Sequence, residues 1–209
     1  MTATPGKTFD QLIAQLEFEL YVNKCNGKPV ILTLGGPSAS GKSTTVARLA
    51  DHFGEISTLG TDDYYIGRTA MQSKLPWPHK NCFDHPLAID MGLLVGHLCQ
   101  LKRHESIERP VYSMLTSEPT GETVTVGPSP LIIVEGIFAN HKDIKYWATI
   151  TASTMRSVEA RLARRIERDV IRTGQTEQEI RAYFTEVAEY NYQGYCAEND
   201  HNVDFYLAT

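Results

Sequence analysis

The chemistry in this chain is densest at Gly36-Pro37-Ser38-Ala39-Ser40-Gly41-Lys42-Ser43, which fits G-x-x-x-x-G-K-[ST]. In a loop of that pattern, the P-loop, backbone N–H groups converge on phosphates. The lysine neutralises the outer ones, and the hydroxyl after it reaches Mg2+. The flanks make the match specific. Pro29 to Leu34 is an apolar, β-branched run suited to a buried parallel strand. Thr44 to Phe53 carries Val46, Leu49, Ala50 and Phe53 at helical spacing. Strand, glycine-bearing loop and helix together aim a helix N-terminus at an anion. A Gly/Ser-rich loop that matched by chance would have no reason to carry both flanks.

Carboxylates and arginines follow in places where they could serve that loop. Asp62-Asp63-Tyr64-Tyr65 comes after a second strand-like run, Ile56 to Thr61, and Glu135-Gly136 after another, Leu131 to Val134. Residues just past the carboxyl ends of parallel strands line the ligand crevice. Carboxylates there suit Mg2+ or a general base. Asp is also common in turns, but the P-loop favours the chemical reading. Side chains alternate on an extended chain, so one of the two aspartates is expected to face the crevice. A Glu ending a buried strand is rare unless it is paired or binds a metal. A helix expected from Met155 to Arg172 holds Arg156, Arg161, Arg164, Arg165, Arg168 and Arg172. Arg161, Arg165, Arg168 and Arg172 share one face at helical pitch. Val158, Leu162, Ile166 and Val170 lie beside them and are expected to pack. Glu159, Glu167 and Asp169 could pair with some of the arginines on a solvated face. In an acidic protein so dense an arginine face suits a lid, because a transferring phosphoryl group needs cations over it.

The elements that must position these residues form one α/β pattern. Thr8 to Val22 reads as an amphipathic helix with Phe9, Leu12, Ile13, Leu16 and Leu20 on one stripe and Thr8 or Asp10 near the cap. Asn26-Gly27-Lys28-Pro29 turns the chain into the first strand. Met71 to Pro86, interrupted by prolines, reads as an irregular aromatic loop. Its His79 and His85 are too loosely placed for metal ligands. Leu87 to Lys102 reads as a helix burying Ile89, Leu93, Leu94, His97, Leu98 and Leu101. Ile107 to Met114 and Glu122 to Val126 form a hairpin turning at Glu118-Pro119-Thr120-Gly121. Ala148 to Ile150 is a short strand, and Gly174 ends the arginine helix. Thr176 to Glu189 is a helix with a Thr176/Glu179 capping box, and Val203 to Leu207 is a last strand. Asn140-His141-Lys142-Asp143 holds the residues of a guanine-reading N-K-x-D in the wrong order and is set aside.

Length and charge bound the reading. The 209 residues fit a single P-loop domain over 1–209, with a lid at about 155–175. Asp and Glu number 25 against 20 Lys and Arg, a formal charge of −5, which disfavours a duplex-coating protein. Cys25, Cys82, Cys99 and Cys196 show no zinc spacing and read as free thiols of a reducing compartment. The N-terminus has no apolar signal region and no run is long enough to span a membrane. A cytoplasmic protein is expected.

Together these stretches resemble the uridine kinase/phosphoribulokinase family, from about Pro29 to Gly174 with an echo at Val203 to Leu207. The resemblance is carried by Gly35 to Thr44, Asp62-Asp63-Tyr64-Tyr65, Asn81 with Phe83-Asp84-His85-Pro86, Arg109-Pro110-Val111-Tyr112, Val134-Glu135-Gly136-Ile137 and Arg161 to Asp169. It implies a P-loop NTPase fold, a mostly parallel sheet flanked by helices, with a small β-hairpin substrate region and an arginine-rich lid. It implies ATP held by Gly36, Ser38, Ala39, Ser40, Gly41, Lys42, Ser43 and Thr44, and Mg2+ held by Ser43, Glu135 and Asp62. Asp62 matches the catalytic base, Lys42 the phosphate lysine and Arg168 a lid arginine at the phosphates. Asp84 and Arg165 match residues that hold ribose hydroxyls. Tyr65, Phe83 and Tyr112 match the nucleoside pocket.

The departures from the family lie in the base-reading half. A pyrimidine-reading His falls on Ser117, a later lid Arg on Gln175 and a Gln on Tyr183, and an Arg-Pro expected near Val187 to Tyr192 is missing. Changing polar readers should change the substrate. The expectation is an ATP- and Mg2+-dependent homo-oligomeric kinase of a small-molecule hydroxyl, uridine or cytidine first. The alternative is another ribosyl, sugar or vitamin hydroxyl, with uridine used poorly and a vicinal diol still required. A nucleotide-switched binding protein would not need Asp62. A nucleic-acid partner is disfavoured by charge and by the lack of a basic or aromatic strand-binding run.

Overall fold

Leu131, Ile132, Ile133 and Val134 are each at most 1% exposed, and their side chains divide between two hydrophobic clusters, one on each face of a sheet. This is the two-sided burial expected of a central parallel strand. The computed structural model describes residues 8–74 and 82–209. In chain order it runs α1 (Phe9–Lys24), β1 (Val30–Gly35), α2 (Lys42–Phe53), β2 (Ser57–Gly60), α3 (Arg68–Lys74), α4 (Met91–Lys102), β3 (Ile107–Ser113), β4 (Glu118–Val126), β5 (Leu131–Glu135), α5 (Lys142–Lys145), β6 (Ile150–Met155), α6 (Val158–Thr173), α7 (Glu177–Tyr183), a π-turn (Phe184–Ala188), α8 (Glu189–Tyr195), α9 (Ala197–His201) and β7 (Phe205–Ala208). Strands β2-β5-β1-β6-β7 pair in that order, all parallel, and β3 and β4 form a separate antiparallel hairpin. The α/β P-loop fold expected from the sequence is the one observed.

On one face, Leu12 and Leu16 of α1 and Leu49 of α2 pack against Val30, Leu32, Leu34, Leu131 and Ile133. Thr8 caps α1 in a reciprocal box with Gln11, which chooses Thr8 over Asp10 as the cap. On the other face, Leu94, Leu98 and Leu101 of α4 meet Ile31, Ile132, Val134 and Phe138. No helix of the described residues is long and apolar enough to cross a membrane.

Several local expectations are corrected. Strand β2 stops at Gly60, and Thr61–Tyr64 forms a 3-10 turn, so the alternation argument does not apply to Asp62 and Asp63. Helix α3 extends through Lys74, which had been assigned to an irregular loop; Trp77, His79 and Asn81 lie outside the described residues. Helix α4 begins after its Asp90 cap, leaving Ile89 in a bridge with Tyr65, and Leu93 is 41% exposed. The hairpin turns at 114–117. Glu118-Pro119-Thr120-Gly121 belongs to β4, where the register shifts between Pro110 and Tyr112. There Gly121 adopts φ 81° and Thr120 Oγ1 donates to Val111 O at 3.1 Å, so the turn-forming residues make a bulge. Strand β6 runs on to Met155, and α6 begins at Val158 behind a Ser157 cap. The helix expected to end at Glu189 continues through the π-turn to Tyr195.

Helix α6 also inverts the expected packing. Its buried residues are Arg161 and Asp169, while Val158 and Val170 are 44% and 43% exposed. The buried polar side is stabilised by ion pairs. Arg161 meets Glu189 at 2.9 Å, and Arg165 and Arg168 both meet Asp169.

Candidate active site

The loop after β1 is built by backbone conformations that few residues tolerate. Gly36 and Gly41 have φ 129° and 109°, and Ala39 is held at φ 64°. A Cβ at Gly36 would collide with Thr154. Ser40 is fully buried and shares a 2.7 Å hydrogen bond with Thr154 Oγ1 on β6. Gly36 and Ser40 therefore shape the loop from behind. Ser38, Ala39, Gly41, Lys42, Ser43 and Thr44 line a cleft of about 1000 Å³. Ser43 and Thr44 lie exposed in the first turn of α2, where N–H groups and the helix dipole favour an anion. Lys42 Nζ donates to Gly36 O at 2.9 Å and Pro37 O at 3.1 Å. Burial lowers its pKa, against the opposing pull of Glu135, Asp62 and Asp200.

The carboxylates arrive from neighbouring strand ends. Gly60 of β2 pairs with Glu135 of β5, and the 3-10 turn that follows β2 carries Asp62 and Asp63 into the same cleft. The two aspartates differ in their partners. Asp63 pairs with Arg109 of the hairpin at 3.3 Å, and burial raises its carboxyl pKa. Asp62 has no ion pair among the described residues. Burial also raises Glu135, with Lys42 pulling it down.

Helix α6 crosses above the loop. Asp169 takes both Arg168 Nε (2.7 Å) and Arg168 Nη2 (3.1 Å), and Arg165 Nε at 3.1 Å. Burial works against that charge, yet the hydrogen bond and charge of Arg168, with Arg165 and Arg172, hold the Asp169 carboxyl below its usual range. Arg168 Nη2 reaches Ser38 Oγ at 3.4 Å, so one arginine of α6 touches the P-loop. Arg161, grouped with the lid by spacing, instead turns inward to Glu189 and is 3% exposed.

At the other end of the cleft, Tyr65 packs its ring against Phe83 and Tyr112, both with centroids at 5.4 Å. Asp84 lines this aromatic pocket at 8% exposure, and burial raises its pKa against the opposing effects of Arg165 and Tyr183. Tyr183 donates its hydroxyl to Asp84 Oδ2 at 2.9 Å, and the Arg165 guanidinium lies 5.3 Å over the Tyr183 ring. Ser117, at the hairpin tip with φ 58°, accepts from Arg68 Nη2 at 3.2 Å. Gln175 lines the same cleft.

Apart from Gly36 and Ser40, every residue expected to bind nucleotide, Mg2+ or acceptor lines this one cleft, whereas Arg161 of the expected lid face does not. Sequence reasoning missed the residues that brace it. Asp200, 1% exposed, accepts from Asn140 Nδ2 at 2.7 Å and from Tyr192 OH at 3.0 Å, directly behind Gly35. Asn140 in turn accepts from Thr33 Oγ1 at 2.7 Å. Nothing in the local pattern marks Asp200, because its partners lie on distant segments. The bracing role of Asp169 was partly legible, since it stands four residues after Arg165.

With that geometry in place, comparison with known proteins is informative. The model of the Phosphoribulokinase / Uridine kinase family matches residues 31–207. The uridine kinase of Geobacillus kaustophilus (strain HTA426) is 36% identical over 160 residues, covering 71% of each chain. The uridine kinase of Bacillus pumilus (strain SAFR-032) is 36% identical over 162 residues, again 71% of each. Among solved structures, a kinase provisionally assigned to a fructose transport system of Silicibacter sp. TM1040 superposes with TM-score 0.72 at 17% identity, covering 98% of this chain and 100% of that one. Such a likeness speaks for the fold, and the relatives speak for the chemistry. The chain belongs to the phosphoribulokinase/uridine kinase family, as an ATP-dependent kinase of small-molecule hydroxyl groups.

Proposed function

We propose that the chain moves the γ-phosphoryl group of ATP, with Mg2+, to a hydroxyl of a nucleoside or related ribosyl compound, uridine and cytidine being the first candidates. One observation carries this reading. Asp62, free of ion pairs among the described residues, lines the same cleft as the P-loop and the aromatic pocket around Asp84. A base so placed can accept the proton of a bound hydroxyl as it attacks. Lys42 and the loop amides would hold the phosphates, and Arg168 would add charge from the lid. Ser43, Glu135 and Asp62 offer oxygen ligands of the kind Mg2+ takes together with nucleotide phosphates. Among the described residues no group of three or more His, Cys, Asp or Glu could hold a metal without such help. Bound there, Mg2+ would neutralise charge developing on the phosphates.

The Tyr183–Asp84 bond favours a second reading within the family: another ribosyl, sugar or vitamin hydroxyl, with uridine a poor acceptor. The four cysteines are free, which supports a reducing, cytoplasmic setting. The expected homo-oligomer is a proposal for light scattering to check. The decisive experiment is a screen of nucleosides, sugars and vitamins with labelled ATP, read by transfer of label. Transfer to a nucleoside ahead of the others supports the first reading, and transfer only to non-nucleosides selects the second. A protein that binds ATP and labels no acceptor would sink both.

A further inference from the structure

One oxygen of Asp84 already accepts a hydrogen bond from within the chain. The Tyr183 hydroxyl donates to Asp84 Oδ2 at 2.9 Å, in a setting where Asp84 is 8% exposed. Three features fix the phenol there. Its ring lies beneath the Arg165 guanidinium at 5.3 Å, and Arg165 is itself anchored to Asp169 at 3.1 Å. Tyr183 is also the last residue of α7, where the helix widens into the π-turn, a feature frequent at functional sites. Burial holds the phenol well above its ordinary pKa, so it stays protonated and remains a donor.

A vicinal diol grips a carboxylate most strongly when its hydroxyls donate to both oxygens. Oδ2 of this buried carboxylate already accepts the Tyr183 hydroxyl, so a second substrate hydroxyl must displace that donor or crowd in beside it, and exchange of one hydrogen bond for another gains little. A single hydroxyl can still be fully served. Asp84 Oδ1 receives no donor among the described residues and can accept its proton. Arg165 Nη1, buried and without a hydrogen-bond partner, can donate to its oxygen. Tyr65 and Phe83 line the cleft with aromatic surface, whose attraction for a ligand ring needs no hydroxyl.

We propose that Tyr183 stands in for one hydroxyl of a diol, so that Asp84 holds the acceptor through a single hydroxyl. The chain therefore phosphorylates deoxyribosides and deoxysugars nearly as well as their diol parents. In the transfer, the reacting hydroxyl oxygen bonds to the γ-phosphorus as its proton passes to Asp62. The bond from the γ-phosphorus to the β–γ bridging oxygen breaks, and ADP leaves. This inference rests on the kinase reading above and narrows its acceptor class.

The test compares kcat/KM for uridine with 2′-deoxyuridine, cytidine with 2′-deoxycytidine, and ribose with 2-deoxyribose, in the parent chain and in Tyr183→Phe. The variant keeps the ring and removes the donor. In the parent, each ratio of diol to deoxy acceptor should lie within about tenfold. In Tyr183→Phe, the vacated oxygen should make the second hydroxyl matter, raising the ratio by roughly ten- to hundredfold. A parent ratio beyond about tenfold, or an unchanged ratio in a variant with a normal melting curve, overturns the inference and leaves the kinase reading standing. Transfer to none of these acceptors while another in the wider screen is labelled overturns the inference alone, and transfer to none at all overturns both. If the variant does not fold, the parent ratio decides alone.

Discussion

Asp63 is tied to Arg109 at 3.3 Å, and this pair separates the work of two adjacent carboxylates. Arg109 also donates to Thr58 O at 3.3 Å, so Asp63 helps fasten the β3–β4 hairpin to the edge strand β2. Asp62, next in line on the same 3-10 turn, has no such tie and is available to a bound hydroxyl. Asp62→Asn should lower kcat by about 10²–10⁴, the worth of a positioned acid or base, with an unchanged melting temperature. Asp63→Asn should do the reverse, weakening stability by about 0–1 kcal/mol, as expected for a partly exposed pair. Steady-state kinetics with melting curves on both variants check this. A larger loss of turnover in Asp63→Asn would reverse the assignment.

Lys42 bonds two carbonyls of its own loop, Gly36 O and Pro37 O. Lys42→Ala should abolish phosphoryl transfer while the fold persists, because no element of the core rests on that side chain. Circular dichroism and a labelled-ATP assay make the comparison. A folded variant with parental turnover would remove Lys42 from the proposed chemistry.

Two arginines of α6 should respond in opposite ways. Arg161 is buried against the half-buried Glu189, so Arg161→Ala leaves that carboxylate unpaired and should cost about 1–3 kcal/mol of stability. The side chain of Arg168 is 41% exposed and contacts Ser38, so Arg168→Ala should change stability by about 0–1 kcal/mol. Its main effect should fall on turnover, where charge near the developing transition state is worth about 2.7–4 kcal/mol. Chemical denaturation and kcat for each variant test the split. A destabilised Arg168→Ala with normal turnover would make Arg168 structural.

The Asp169 carboxyl is held below its usual range, so it binds protons less readily folded than unfolded. Its contribution is therefore present above the unfolded carboxyl pKa, near 3.9, and fades as pH falls through the lower folded value. The stability difference between the parent and Asp169→Asn should be largest near neutral pH and shrink as the solution is acidified. Urea unfolding across that range measures it. A difference that grows on acidification would contradict the sign.

Asp200 receives donors from Asn140 and Tyr192 behind the loop, and its removal would strand both. Asp200→Ala should destabilise the protein by about 1–3 kcal/mol for each stranded donor. It should also raise KM for ATP, because the floor under Gly35 and Gly36 is lost. Unchanged stability and KM would show that water replaces the carboxylate without consequence.

The sequence by itself determined the phosphate loop, the strands around it and the family. These features are local: periodic apolar runs bury themselves on a sheet, and glycines at Gly36 and Gly41 permit backbone angles that other residues resist. The candidate residues were legible for the same reason, since strand ends in a parallel sheet converge on one edge. Tertiary structure decided what each candidate touches. It assigned Asp63 to Arg109 and left Asp62 open. It turned Arg161 and Asp169 of α6 inward, because ion pairs with Glu189, Arg165 and Arg168 outweighed the packing of a narrow apolar stripe. It drew Glu118 to Gly121 into β4, with the bulge at Thr120 to Glu122, because Tyr112 and Ser113 pair with Pro119 and Glu118 while Pro110 pairs with Thr123. It also brought Tyr183 to Asp84 and Asp200 to Asn140. Contacts between residues so far apart along the chain leave no mark on local spacing, because they exist only once the core has formed.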